Sequence, residues 1–226
     1  MLSVVIPTLN AERTLPFALA PLVPATMAGL VRQVVIVDGG SQDATRAIAE
    51  ESGADVVVAP PSRGGQLQAG AAAARAAFLL FLHADTVLTG DWADAVAGFI
   101  ASADAAQRAA AFTFGFDDQS FAAGLVARWV NVRSRVFGLP YGDQGLLIAR
   151  PLYDEIGGYR AIPLMEDVDL VRRLGKRRIR MMRAVAVTSA DRYRRDGYFM
   201  RGARNLVLLA RFLTGADPHD LRKAYG

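Results

Sequence analysis

The chain contains no cysteine among its 226 residues. That removes disulfides, zinc–thiolate sites and cysteine nucleophiles, and it leaves the compartment open. Histidine is nearly as scarce. His83 and His219 are the two present, too few for a histidine-cluster metal site, and neither sits in an HExxH pattern. A Ser-His-Asp hydrolase would need one of them as its base, yet no GxSxG elbow accompanies either. No GxGxxG follows the first strand-like run and no P-loop pattern occurs, which argues against a dinucleotide cofactor. No apolar stretch approaches the ~20 residues that a membrane-spanning helix requires. Met1 to Asn10 has no basic leader and carries Pro7 inside a short apolar run, so it reads as a first strand and not as a signal peptide.

Positive charge is missing from most of the chain and concentrated at one end. Residues 1–171 hold 11 arginines, no lysine and 18 acids, whereas residues 172–226 hold 15 of the 26 basic residues and four acids. A basic end on an otherwise acidic protein suits an anionic surface or a phosphorylated ligand. Hydrophobic residues make up 52% of the chain, and its length allows one large α/β domain with a full core.

The organising stretch is Phe78-Leu79-Leu80-Phe81-Leu82-His83-Ala84-Asp85-Thr86. Five large apolar residues in a row fit a strand buried on both faces. His83 and Asp85 follow, two apart, so an extended backbone points them to one side. Asp85 then reads either as the start of a turn or as a carboxylate facing a ligand beyond the strand's end. Further strands are expected over Leu2–Ile6 (ended by Pro7), Gln33–Val37, Asp55–Val58, Ala110–Phe116, Leu146–Ala149 and Val185–Val187. Helices are expected from an Asn10 cap, over 43–52, 66–77, 91–104, Phe121–Phe137 and 151–156, from Met165 onward, and over Tyr198–Leu213. Strand and helix alternate early in the chain, which predicts a parallel sheet, and neither a linker nor an internal repeat divides it.

Several residues can carry chemistry. Asp38 and Asp85 each end a buried strand and can face one crevice. Glu166-Asp167 opens a helix, where acids either complement the helix dipole or supply a general base. Arg63-Gly64-Gly65 is either an ordinary turn or a phosphate clamp.

In order and spacing, four segments resemble a family 2 glycosyltransferase of the GT-A fold. They are Val4-Val5-Ile6-Pro7-Thr8-Leu9-Asn10, Val35-Ile36-Val37-Asp38-Gly39-Gly40-Ser41-Gln42-Asp43, Phe81-Leu82-His83-Ala84-Asp85-Thr86 and Met165-Glu166-Asp167-Val168-Asp169. The stretches around Arg63-Gly64-Gly65-Gln66 and Tyr141-Gly142-Asp143-Gln144-Gly145 are similar to a compact bacterial branch of that family, related by analogy to carotenoid glycosyltransferases. The resemblance implies a single GT-A domain over 1–226, a mainly parallel Rossmann-like sheet flanked by helices, with a basic helical part from about 190. It implies an inverting transferase that uses a nucleotide-diphosphate sugar, a hydroxyl acceptor and Mg²⁺ or Mn²⁺. Pro7, Asn10, Asp38, Gly40, Arg63, Gln66, His83 and Asp85 would face the donor, with Asp85 on the metal. Tyr141, Asp143 and Gln144 would lie on the acceptor side, and Asp167 beside Glu166 would take the acceptor's proton. The sequence departs from the family's pattern twice, with His83 at the first D-x-D position and Gly39 where a second acid is common. The alternatives are a nucleotidyltransferase of similar architecture and a silent sugar-nucleotide-binding protein at a membrane surface.

The setting expected is cytoplasmic, without a nucleic-acid partner. In Tyr198–Leu213, Arg201, Arg204 and Arg211 fall on one stripe. That helix either turns its apolar side to the sheet or lies in an anionic membrane interface at the inner face, which would suit a lipid-linked acceptor.

Overall fold

Short runs of β-branched and large apolar residues pair into one eight-stranded sheet. The strands are β1 (Leu2–Thr8), β2 (Val31–Asp38), β3 (Asp55–Val58), β4 (Phe78–Phe81), β5 (Thr86–Thr89), β6 (Ala109–Phe116), β7 (Leu146–Ala149) and β8 (Ile179–Thr188). The helices are α1 (Leu15–Leu19), α2 (Leu22–Met27), α3 (Thr45–Glu51), α4 (Arg63–Ala73), α5 (Trp92–Ile100), α6 (Phe121–Phe137), α7 (Arg150–Glu155), α8 (Glu166–Leu174), α9 (Asp191–Asp196), α10 (Tyr198–Leu213) and α11 (Pro218–Tyr225). This is a computed structural model, and it describes residues 1–225.

The strand order is β3-β2-β1-β4-β7-β6-β8-β5. Strand β1 lies parallel to β2 and β4, β2 to β3, and β6 to β8. Strand β7 runs antiparallel between β4 and β6, and β5 runs antiparallel beside β8. The sheet is thus mainly parallel, as a GT-A fold requires. Alternation along β1 feeds two cores: Val4 and Ile6 join one apolar cluster, Val5 the other. Among the described residues, no helix is long and apolar enough to cross a membrane.

Several boundaries differ from the sequence reading. Strand β1 continues through Pro7 to Thr8. Strand β4 has already ended opposite Val5, and the Leu82 N–H closes that side by donating to the Val5 carbonyl. The proline's missing N–H therefore costs no ladder bond. Asn10 does not cap a helix. Its backbone is left-handed at φ 51°, and α1 begins at Leu15. Strand β8 is ten residues long and not three, because β6 pairs along it in two blocks separated by a register shift. Strand β5 and the short helices α2, α9 and α11 carry too few periodic positions to stand out in the sequence.

Helix α4 lies close on β1 and β2. A Cβ added at Gly70 would come within 2.3 Å of Val5 Cγ1 and 2.8 Å of Val37 Cγ2. Both valines are fully buried and cannot yield cheaply. Gly70→Val should lower the unfolding free energy by about 1–3 kcal/mol through overpacking, measured by urea denaturation. An unchanged midpoint would show that α4 can stand off from the sheet.

Candidate active site

The carboxyl ends of β1 and β4 open on a cleft of about 820 Å³. Its floor is tied by one amide. Gln66, 5% exposed on α4, donates from Nε2 to the carbonyls of Thr8 and Val37, both at 2.8 Å. The same amide explains Gly39, since a Cβ there would lie 3.1 Å from Gln66 Nε2. Pro7, Asn10, Arg63, Gln66, His83 and Asp85 all line the cleft.

Asp38 and Gly40 do not line it. Asp38 is fully buried and folds its carboxylate into its own loop. It accepts from the Gly40 and Ser41 N–H groups at 3.0 Å and from the Ser41 hydroxyl at 2.5 Å. That loop then holds Asn10: the Asn10 N–H donates to Ser41 Oγ at 2.8 Å, and Asn10 Oδ1 accepts the Gln42 N–H at 2.9 Å. Asp38 thus acts on the cleft through Asn10.

His83 and Asp85 sit where the cleft meets a second pocket of about 140 Å³. The His83 imidazole packs against the Gly142 backbone, where a Cβ would come within 2.4 Å of its Nε2. Burial, and then the charges of Arg63 and Arg192, hold its pKa well below the ordinary value. The ring is neutral at physiological pH. The Asp85 carboxylate has no hydrogen-bond or ion-pair partner among the described residues.

The smaller pocket is lined by Tyr141, Asp143, Glu166 and Asp167. Both Asp167 oxygens are oriented by backbone donors: Gly142 N–H reaches Oδ2 and Val168 N–H reaches Oδ1, each at 2.7 Å. Glu166 is 3% exposed and lies 3.8 Å from Arg63 Nε. Burial, reinforced by Asp167, pushes its pKa up to about 7. Burial also pushes Asp143 up to about 7, with Asp167 and Asp85 adding to the shift and Arg133 opposing it. Among the described residues, the buried side-chain polar atoms without a hydrogen-bond partner are Asp143 Oδ1, Tyr141 Oη and one Arg133 nitrogen, all in this cluster. The Arg133 guanidinium lies 3.4 Å from the centroid of the Tyr141 ring.

Gln144 departs from its expected place and lines neither cavity. It is fully buried, accepting from the Ser134 hydroxyl at 2.6 Å and donating to the Phe112 carbonyl at 3.1 Å. It ties α6 and β6 to the loop beneath Tyr141 and Asp143. His219 is exposed and lies outside both cavities.

The sequence reading missed the far wall. Arg192, Arg195, Arg201, Arg204 and Arg222, from α9, α10 and α11, line the large cleft. The uneven charge was their only signal. Nothing local in the sequence shows that those three helices fold back across the strand ends.

Comparison with known proteins fits this geometry. The sequence model described as glycosyl transferase family 2 matches residues 3–161. The chain belongs to that family. It is a glycosyltransferase of the GT-A fold. No curated protein matches the sequence. Among solved structures it is similar to glucosyl-3-phosphoglycerate synthase from Mycobacterium tuberculosis, in complex with Mn²⁺, UDP and glucosyl-3-phosphoglycerate. That similarity is 24% identity at a TM-score of 0.55, over 84% of this chain and 70% of that one. It is also similar to S. aureus TarS, at 16% identity and a TM-score of 0.62, over 97% of this chain and 41% of that one. A TarS fragment in complex with UDP-GlcNAc aligns at 16% identity and a TM-score of 0.59, over 83% of this chain and 58% of that one. The family match ends before Glu166 and Asp167, so those two rest on the local geometry.

Glu166 and Asp143 give the site a pH signature. Both fold with carboxyl values near 7, above the ordinary ones. Through the window from the ordinary carboxylate range up to about 7, the unfolded chain releases these protons and the folded chain keeps them. Their contribution to stability is complete below that window and is lost as pH rises through it. His83, held neutral, acts with the opposite sign as pH falls below about 6.5. Glu166→Gln should therefore flatten the fall in unfolding free energy across the window, measured by urea titrations at fixed ionic strength. A slope equal to that of the wild type would mean that Glu166 ionises normally.

Proposed function

We propose that residues 1–226 form one inverting glycosyltransferase domain, which moves a sugar from a nucleotide-diphosphate donor to an acceptor hydroxyl. A single observation carries the reading. The unpartnered Asp85 carboxylate lines both cavities, between an arginine-walled cleft and the pocket that holds Asp167. The large cleft suits the donor. Arg192, among the arginines that line it, can meet phosphate oxygens, and Pro7 and Asn10 line the same cleft. The small pocket, with Tyr141 and Asp143, suits the acceptor.

The residues present fit Mg²⁺ or Mn²⁺. Such ions are commonly held by one or two carboxylates together with substrate phosphate oxygens. Asp85, with the neutral His83 beside it, is a donor set of that kind, and no cluster of three ligating side chains forms a full cage among the described residues. The Mn²⁺ and UDP in the synthase complex support the same assignment. When bound, the ion would offset charge on the departing diphosphate.

Asp167 takes the acceptor's proton. A carboxylate has about four lone-pair positions, and backbone donors occupy two of them here. The remainder can accept from a hydroxyl. As that proton moves to Asp167, the hydroxyl oxygen bonds to the anomeric carbon while the bond to the diphosphate breaks on the opposite side. Configuration inverts. Glu166, paired with Arg63, holds the base of the cleft.

Two outcomes test these roles. Asp85→Ala should abolish the Mn²⁺-dependent rise in melting temperature on adding UDP, GDP, CDP or dTDP, while the unliganded protein melts as before. Undiminished nucleotide binding in the presence of metal would remove Asp85 from the site. Asp167→Asn should keep donor affinity and lose on the order of 10²–10⁴ in turnover. Normal turnover would pass the base role to Glu166 or Asp143, which line the same pocket. Nucleotide binding with no transfer to any acceptor hydroxyl would favour the silent binder, and release of diphosphate from a nucleoside triphosphate would favour the nucleotidyltransferase.

A further inference from the structure

Two packed helices turn apolar faces to solvent. On α6, Phe121, Leu125, Trp129, Val132 and Val136 recur at steps of three and four, so they form one strip. All five are exposed, from 41% at Val132 to 86% at Phe121. On α10, Phe199, Met200, Leu206, Val207 and Leu213 are exposed, while Leu208 and Leu209 are buried. The apolar side of α10 therefore does not turn wholly to the sheet, one of the two placements that the sequence left open. Arg201 is 8% exposed and lines the cleft together with Arg204. The cleft claims the polar edge of the helix, and much of the apolar side is left outside.

Such a surface is costly in water. Burying a large apolar side chain is strongly favourable, and contiguous apolar patches on a soluble protein mark interaction sites. Charge identifies the occupant. Neither α6 nor α10 contains an Asp or Glu, and Arg128, Arg135 and Arg211 lie on their exposed sides. A second copy meeting this face about a two-fold axis would bring arginine against arginine, with no acid on either helix to pair them. A bilayer with anionic headgroups takes up the apolar side chains and the arginines together, each cation near the surface adding to the attraction.

We propose that the outer faces of α6 and α10 form a docking surface for an anionic lipid bilayer. Docking needs no nucleotide and does not depend on the transferase reading. Its corollary does: because Arg201 and Asn205 of α10 also line the smaller pocket, the acceptor would be a hydroxyl-bearing lipid presented there.

The chain carries its own reporter. Of its two tryptophans, Trp92 is 5% exposed and Trp129 is 48% exposed. The full chain is mixed at low salt with vesicles of phosphatidylglycerol and phosphatidylcholine, or of phosphatidylcholine alone. Sedimentation and tryptophan emission are then recorded. The protein should pellet with the anionic vesicles, release as ionic strength rises, and shift its emission to the blue. Leu125→Ser with Val132→Ser, and Phe199→Ser with Val207→Ser, should each lower partition on the order of tenfold or more while melting temperature and nucleotide binding hold. Protein that stays in the supernatant at low salt overturns the proposal. So does pelleting without a blue shift, which would mean another face binds. A dimer in sedimentation velocity that these serine pairs dissociate would also overturn it and assign the face to a second copy.

Discussion

The buried amide of Gln66 is the constraint on which the site depends. Its two hydrogen bonds join the ends of β1 and β2, adding a side-chain donor to carbonyls at the last rungs of the ladder. Buried donors left without acceptors would be expensive, so the amide position is fixed by the carbonyls it serves. Helix α4 can bring Gln66 there only because Gly70 lets the helix settle onto Val5 and Val37. With the strand ends fixed, the Asp38 loop closes on its own carboxylate and holds Asn10 in a left-handed conformation at the rim. The other left-handed non-glycine residue among those described is Met165, just before α8, where it lines the smaller pocket. Backbone strain gathers where ligands are handled, and the surrounding hydrogen bonds sustain it.

The small pocket brings Asp85, Asp143, Glu166 and Asp167 together, and burial, with Asp167 adding to it, raises Glu166 and Asp143 to about 7, so each exchanges its proton near neutrality. The large cleft collects arginines from three helices after β8. Arg63, Arg192 and Arg201 line both cavities together with Asp85 and Glu166, so cations and carboxylates meet where the two join. His83 stands at the junction and is held neutral by burial and two arginines, so it adds no positive charge to compete with a metal ion.

Much of the site was legible in the chain. The apolar run ending at His83 and Asp85, the Asp38-Gly39-Gly40 turn and the Glu166-Asp167 helix start have local signatures, because strand burial and helix dipoles act over a few residues. Gln144 was misread for the opposite reason. Its neighbours in sequence face the pocket, but a buried amide goes where carbonyls and hydroxyls need it, and those belong to Phe112 and Ser134. The arginine wall and the orphaned atoms of Arg133, Tyr141 and Asp143 were invisible because they are contacts between elements far apart in the chain.

The family, the early parallel strands, the carboxylates available for chemistry and the basic character of the C-terminal segment could all be read from the chain. Those properties follow from residue type and short-range periodicity. Only the tertiary structure decided that Asp38 serves a loop, that Asp85 stands free where two cavities meet, and that α10 gives its arginine edge to the cleft and leaves an apolar side exposed. A helical wheel shows that α10 has a polar edge and an apolar side, but not what each will meet. That depends on long-range packing, in which the strand ends, lacking any other cover, recruit the arginines and leave the apolar side outside.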